Sequence, residues 1–265
     1  MPPPNRSAQP DLAMLLSRQT AAVALQVQRL KKSVYRLEAI EAVQSAGRKP
    51  VYPIEFRSQF GEDALLWELF RGQLDGFFIE VGAFDGYSFA VTYALECLGW
   101  KGLLIEAIPD RAEECRRRRT NSRVVHAALA DKHGGEVTFT VTEDQHGGML
   151  SYLDPNSSHA RSLASAPKRS VTVPRTTMNE LLQGHSGEID VAAIDVEGGE
   201  LTLLRGFDLF QHKPKVLLIE DNSRGADTAL AQYMSMMPYT LLGWLEVNMI
   251  YARTDLASQM AERLA

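Results

Sequence analysis

Cysteine is nearly absent: Cys97 and Cys115 are the only two in 265 residues. They make no disulfide framework and have no CxxC or Cys/His metal spacing, so a pair of reduced thiols is expected. The first ten residues, MPPPNRSAQP, lack the basic-then-apolar order of a signal peptide. No apolar run approaches the ~20 residues needed to cross a bilayer. Positive charge is not in excess either. A net charge of −5 gives no reason to expect nucleic acid or an anionic membrane as partner. No segment repeats. These absences leave the expectation of a soluble, cytoplasmic protein, long enough for one large α/β domain and an appendage.

Residues 1–10 are Pro-rich and polar, and disorder is expected there. Residues 11–46 contain no Gly or Pro and predict one long helix. Leu16, Val23, Leu30 and Leu37 fall seven apart, with Thr20, Val27 and Val34 between them at the alternating positions. Val at a with Leu at d favours a parallel two-stranded coil, so this segment is expected to make the protein a homo-oligomer. The alternative is an amphipathic helix packed on its own domain. A breaker-rich linker at 47–53 leads into a domain at 54–265. Helices are predicted there at 62–70, 89–98, 109–119, 178–182, 200–205 and 227–236. Strands are predicted at 77–81, 102–106, 124–128, 136–141, 191–195, 216–220, 239–244 and 248–252. Residues 143–170 read as a long polar loop, of a length associated with functional lids. Short apolar strands separated by helices predict a parallel sheet covered on both faces.

The stretch FFIEVGAFDG, 77–86, sets an apolar strand against Gly82 and Gly86, where backbone must approach something closely. A dinucleotide fingerprint needs glycine at three positions, and here the second and third are Phe84 and Tyr87. No Gly-Lys-Ser/Thr follows, which excludes a Walker-type loop. Glu80 and Asp85 would repel phosphate. They suit a nucleoside that is cationic instead, and S-adenosylmethionine, with a sulfonium and an ammonium, is that ligand. Gly82 would let its methionine portion lie against backbone. Glu106, at the end of the next strand, is placed to accept from the ribose hydroxyls.

The segments SQFGED (58–63), FFIEVGAFDGYSFAVTYALECLGWKGLLIEAIP (77–109), AALAD (127–131) and IDVEGGELTLLRGF (194–207) together resemble the FkbM family of S-adenosylmethionine-dependent methyltransferases. The resemblance covers about 55–252. It implies a class I methyltransferase fold, a Rossmann-like seven-stranded sheet with its last strand antiparallel. It also implies that Gln59 and Glu62 border the cofactor pocket and that Ala127 lies near the adenine. Many relatives carry Ser-Asn-Thr where this chain reads Ala90, Val91 and Thr92.

Methyl transfer to a hydroxyl needs an oriented acceptor and a base or metal to remove its proton. Asp195 and Glu197, after one strand, and Glu220 and Asp221, after the next, are expected to converge on one cleft. Asp195, Glu220 and Asp221 are the candidate metal ligands, and oxygen ligands of this kind suit Mg²⁺. Direct binding of acceptor hydroxyls by Asp195 and Glu197 without metal is the alternative. His146 in the long loop is the foremost candidate base and His159 the second. The run Arg116–Arg119 spreads around its helix and reads as solvated and salt-bridged. The resemblance implies an O-methyltransferase acting on a sugar or secondary metabolite. Two other readings stay open: an amine or carboxyl acceptor, and a non-catalytic oligomerising module that keeps the cofactor.

Overall fold

The computed structural model describes residues 12–142, 165, 167–226 and 228–265, with side chains from Gln19 onward except 21 and 22. Among these residues a seven-stranded sheet runs in the order β3-β2-β1-β7-β8-β10-β9. Its strands are β1 (Phe77–Val81), β2 (Lys101–Glu106), β3 (Arg123–His126), β7 (Val191–Ile194), β8 (Val216–Glu220), β9 (Tyr239–Leu245) and β10 (Asn248–Arg253). FFIEV, VAAI and VLLIE are almost wholly buried, the mark of parallel strands covered on both faces. β10 is antiparallel to both of its neighbours.

Register decides where a ligand can sit. Val81 pairs with Ile105 on one side and Ile194 on the other, and Ile194 pairs with Ile219. Four strands therefore end in line, and Gly82, Glu106, Asp195 and Glu220 follow at one edge. The chain order reverses between β1 and β7, the crevice where open α/β sheets bind ligands.

Helices cover both faces: α2 (Glu62–Leu69), α3 (Tyr93–Leu98), α4 (Pro109–Arg118), α5 (Met178–Leu181), α6 (Glu200–Arg205), α7 (Thr228–Met234) and α8 (Ala257–Leu264). α8, which the sequence reading did not anticipate, packs on α2 and the β9–β10 pair. α3 starts at Tyr93, later than the predicted 89. Glu80 accepts the Val91 N–H at 2.8 Å, and Phe89 has a left-handed φ of 58°, so the chain turns into the helix late.

The predicted strand at 124–128 breaks at Ala127. Its second part, β4 (Ala128–Leu129), joins β5 (Glu136–Thr142) and β6 (Lys168–Thr176) in a separate sheet of order β4-β6-β5. β6 overlaps the predicted loop, its strand pattern hidden by Lys168, Arg169, Pro174 and Arg175.

The long helix α1 (Leu12–Ser45) has two working faces. Tyr35, Ala39 and Val43 are buried against the domain, Lys32 Nζ lies 3.3 Å from the Asp63 carboxylate, and Trp67 donates to Glu38 at 2.9 Å. The opposite face carries Val23, Val27, Leu30, Val34 and Leu37, between 49% and 68% exposed. No helix of the described residues is long and apolar enough to cross a membrane.

Arg119 departs from the expected solvated run. α4 ends at Arg118, and Arg119 turns inward with no exposed surface. Its guanidinium donates to Glu96 at 2.5 Å, to Thr92 Oγ1 at 2.9 Å and to the Gly86 carbonyl at 3.2 Å, and lies 3.5 Å from Glu80. Breaking a buried ion cluster by removing one partner strands the others uncompensated. Arg119→Met is therefore expected to destabilise the fold by about 3–5 kcal/mol, read as a shift in denaturant midpoint. A Glu80→Gln/Glu96→Gln/Arg119→Met combination should recover part of that loss.

Candidate active site

Gly82 and Asp195 form the neck of the cleft. A Cβ on Gly82 would stand 1.9 Å from the Asp195 carbonyl oxygen, and its φ is 82°, so no other residue fits. The close approach the glycine was expected to permit is thus first of all that of a neighbouring strand's backbone. On either side lie two chambers that share this neck, of about 740 Å³ and 1130 Å³ counted out to solvent.

The smaller chamber is walled by Ile108, Ala127, Leu129, Phe139 and Val196, with Glu106 at its side. Glu106 is buried and accepts from Phe84 N–H at 2.7 Å and Ile108 N–H at 2.8 Å. Burial outweighs those donors and lifts its pKa to about 7. Ala127 donates its N–H to the Glu106 carbonyl, and there the chain passes from β3 into β4 and the second sheet.

The larger chamber is bordered by Gln59, Phe60, Glu62, Glu80, Phe89, Asn222 and Asn248, with Glu220 at its side. Glu62 accepts from Phe60 N–H and from Asn248, both at 2.9 Å, and burial raises its pKa. Glu80 borders the chamber, but its carboxylate is engaged by Val91, Thr92 and Arg119.

Asp85 and Gly86 line neither chamber among the described residues. Burial would raise the Asp85 pKa, yet donors on Ser88, Tyr87 and Arg118 hold it below the ordinary value. Those bonds tie the loop together. Gly86 is glycine because a Cβ would meet Arg119 and Cys115 below 3 Å.

Asp195, Glu197 and Glu220 converge, with one oxygen of each within 4.8 Å of the others. Asp221 is not among them. Its carboxylate accepts from Ser223 N–H at 2.9 Å and Gly225 N–H at 2.8 Å, closing the turn after β8, and Glu197 stands in the cluster instead. Burial and the neighbouring carboxylates push Glu197 up to about 9 and Glu220 further in the same direction. His146 and His159 lie outside the described residues.

Sequence reading missed three contributors. Glu200 is buried and accepts from Val196 N–H at 3.2 Å and Gly198 N–H at 3.1 Å, shaping the loop that carries Glu197, and burial lifts its pKa to about 7. It was visible as the second acid of VEGGE, where an acid opening a helix favours free N–H groups. Asn222 donates to Glu197 at 3.2 Å, and Phe139 reaches in from the second sheet. Nothing in the local sequence marks either one.

The methyltransferase FkbM domain family matches residues 80–241, more than half of the chain. Among solved structures, the chain is similar to the C-terminal domain of precorrin-6Y C5,15-methyltransferase from Rhodobacter capsulatus, at 10% identity over 72% of this chain and 85% of that one, with a TM-score of 0.36. It is also similar to YjhP from E. coli, at 12% identity over 71% and 67%, with a TM-score of 0.31. A third is a SAM-dependent methyltransferase from Thiobacillus denitrificans in complex with S-adenosyl-L-homocysteine, at 12% identity over 67% and 56%, with a TM-score of 0.29. No curated protein matches in sequence. The family match spans β1 to β9 and with them the whole carboxylate cluster, and by it the chain belongs to the FkbM domain family of S-adenosylmethionine-dependent methyltransferases.

Proposed function

We propose that the protein is an O-methyltransferase that methylates a hydroxyl of a sugar or secondary metabolite. The observation that carries this reading is the lining of the cleft. Among the described residues it holds Glu62, Glu80, Glu106, Asp195, Glu197 and Glu220 and no Lys, Arg or His. Such walls fit a cationic nucleoside and a neutral acceptor. They oppose pyrophosphate, and they oppose a carboxylate acceptor for the same reason.

The chain's residues fit S-adenosylmethionine in detail. Glu106 would take the ribose hydroxyls, and the apolar walls at Ile108, Ala127 and Leu129 the adenine. Gln59 and Glu62 would border the methionine end. When bound, the cofactor supplies a methyl group activated by its sulfonium. Asp195 and Glu197 would hold and orient the acceptor in the larger chamber, where Gln59, Asn222 and Asn248 offer amides to its hydroxyls. The same carboxylates also favour an amine acceptor as a second reading.

Self-association through residues 11–46 completes the proposal. Val27 and Val34 at a, with Val23, Leu30 and Leu37 at d, form a solvent-exposed stripe on the face of α1 turned away from the domain. Because the other face is buried, removing the whole segment would damage the domain. Point changes are the cleaner probe. Leu30→Glu with Leu37→Glu is expected to lower the mass seen by light scattering while leaving the thermal midpoint nearly unchanged; equal masses for variant and parent would refute the seam.

Glu106→Ala removes a charge-assisted acceptor for two hydroxyls, each worth about 1.5–3 kcal/mol. S-adenosylhomocysteine binding should weaken at least about tenfold by calorimetry. The ionised form is the better acceptor, so parent affinity should rise about tenfold between pH 6 and 8, with the carboxyl titrating at about 7, and Glu106→Gln should flatten that profile. For the unliganded fold the sign is opposite. The raised pKa gives stability that is complete below the unfolded value of 4.5 and is lost as pH rises through about 7.

Asp195→Asn should lose turnover far more than cofactor affinity. With methyl-labelled cofactor and a panel of hydroxyl acceptors, the label should enter a base-stable ether. Base-labile label would indicate a carboxyl ester and overturn the O-ether reading, and label on nitrogen would select the amine.

A further inference from the structure

Carboxylates along the cleft fall into two groups. Glu80 is met by Val91, Thr92 and Arg119, Glu106 by two backbone N–H groups, and Glu62 by Phe60 and Asn248. Glu220 differs. It is 7% exposed, and its Oε2 is the one buried carboxylate oxygen among the described residues with no hydrogen-bond donor. It lies beside Asp195 and Glu197, in a cluster that grades from an exposed carboxylate to a buried one. Glu197 reaches this cluster from a left-handed φ of 55°, a conformation that a residue with a Cβ keeps only where its surroundings fix it. Three acids so placed, with no basic side chain in the chamber walls, repel one another unless they hold a proton, as in the hydrogen bond between Glu220 and Asp195, or a cation sits between them.

From this geometry we infer that Asp195, Glu197 and Glu220 hold one hard divalent cation of the Mg²⁺ and Mn²⁺ class. A donor set of carboxylate oxygens without nitrogen or sulfur selects a hard ion over zinc or copper. The open, exposed side of the cluster at Asp195 gives the ion its entry path. One oxygen from each residue leaves positions of an octahedron to water and to the acceptor. Resting on the reading of this cleft as a methyl-transfer site, the inference names the acceptor class: a molecule with two neighbouring oxygens, such as a vicinal diol, that chelates the ion. Coordination makes the acceptor hydroxyl more acidic. Its proton passes to bulk water, the oxygen's electron pair forms the new bond to the methyl carbon, and the carbon–sulfur bond breaks with its electrons left on a neutral thioether. A cationic amine acceptor would instead occupy the ion's own position.

The test is a titration of the full-length protein with Mn²⁺, followed by electron paramagnetic resonance without any acceptor and then competed with Mg²⁺. One bound equivalent is expected, with affinity falling roughly tenfold or more in Glu220→Gln and in Glu197→Gln. No uptake, or uptake unchanged in both variants, overturns the site. If Glu220→Gln fails to fold by circular dichroism, the partly exposed Glu197→Gln carries the comparison. S-Adenosylhomocysteine titration of the same samples separates the two readings. Nucleoside binding without Mn²⁺ uptake removes the cation and leaves methyl transfer standing. Mn²⁺ uptake without nucleoside binding does the reverse.

Discussion

The buried pairing of Glu80 with Arg119 is the constraint on which the cofactor edge depends. Glu80 is the last residue but one of β1, and without a cation it would be a charge inside the domain. Arg119 supplies that cation from the end of α4 and simultaneously ties Glu96 of α3, Thr92 and the Gly86 carbonyl. One guanidinium thus fixes the strand, the loop after it and two helices relative to each other. A planar fork with five donors suits such a role; a lysine could not reach as many acceptors in fixed directions.

Neutralising Glu80 internally divides labour among the acids. Some of them hold backbone in place: Asp85 and Asp221 close turns, and Glu200 sets the path of the loop carrying Glu197. Those left to face the chambers are Glu106 on one side of the neck and the Asp195, Glu197 and Glu220 cluster on the other. Under the proposed function the two ends of the cleft have separable tasks, nucleoside recognition at one and acceptor handling at the other, joined where β1 and β7 run side by side.

Much of this was legible in the sequence, for a physical reason. An apolar run of strand length that ends in an acid is a buried strand delivering a carboxylate to the sheet edge, and Glu80, Glu106 and Glu220 all read that way. What could not be read is which acid has a partner, because partners come from far along the chain. Arg119 sits 39 residues from Glu80 in a run of arginines whose pattern suggests solvent. The sequence pattern points to Asp221 as the third member of the cluster, and the structure puts Glu197 there. Only the turn after β8, which claims the Asp221 oxygens for Ser223 and Gly225, and the left-handed backbone at Glu197 decide between them. β6 escaped notice because its strand character comes from pairing with β5 and not from its own polar, proline-containing sequence.

That pairing reaches further. Thr142 at the end of β5 is registered against Lys168 at the start of β6, so the two ends of the connecting segment lie side by side. The ends of the intervening segment are held together by the hairpin whatever its length, and lengthening such a closed loop adds only a slowly growing entropy cost. A change in the number of residues between Thr142 and Lys168 therefore costs the β5–β6 pairing little. A lineage built on this scaffold can vary the length of chain between these two strands while their register is kept.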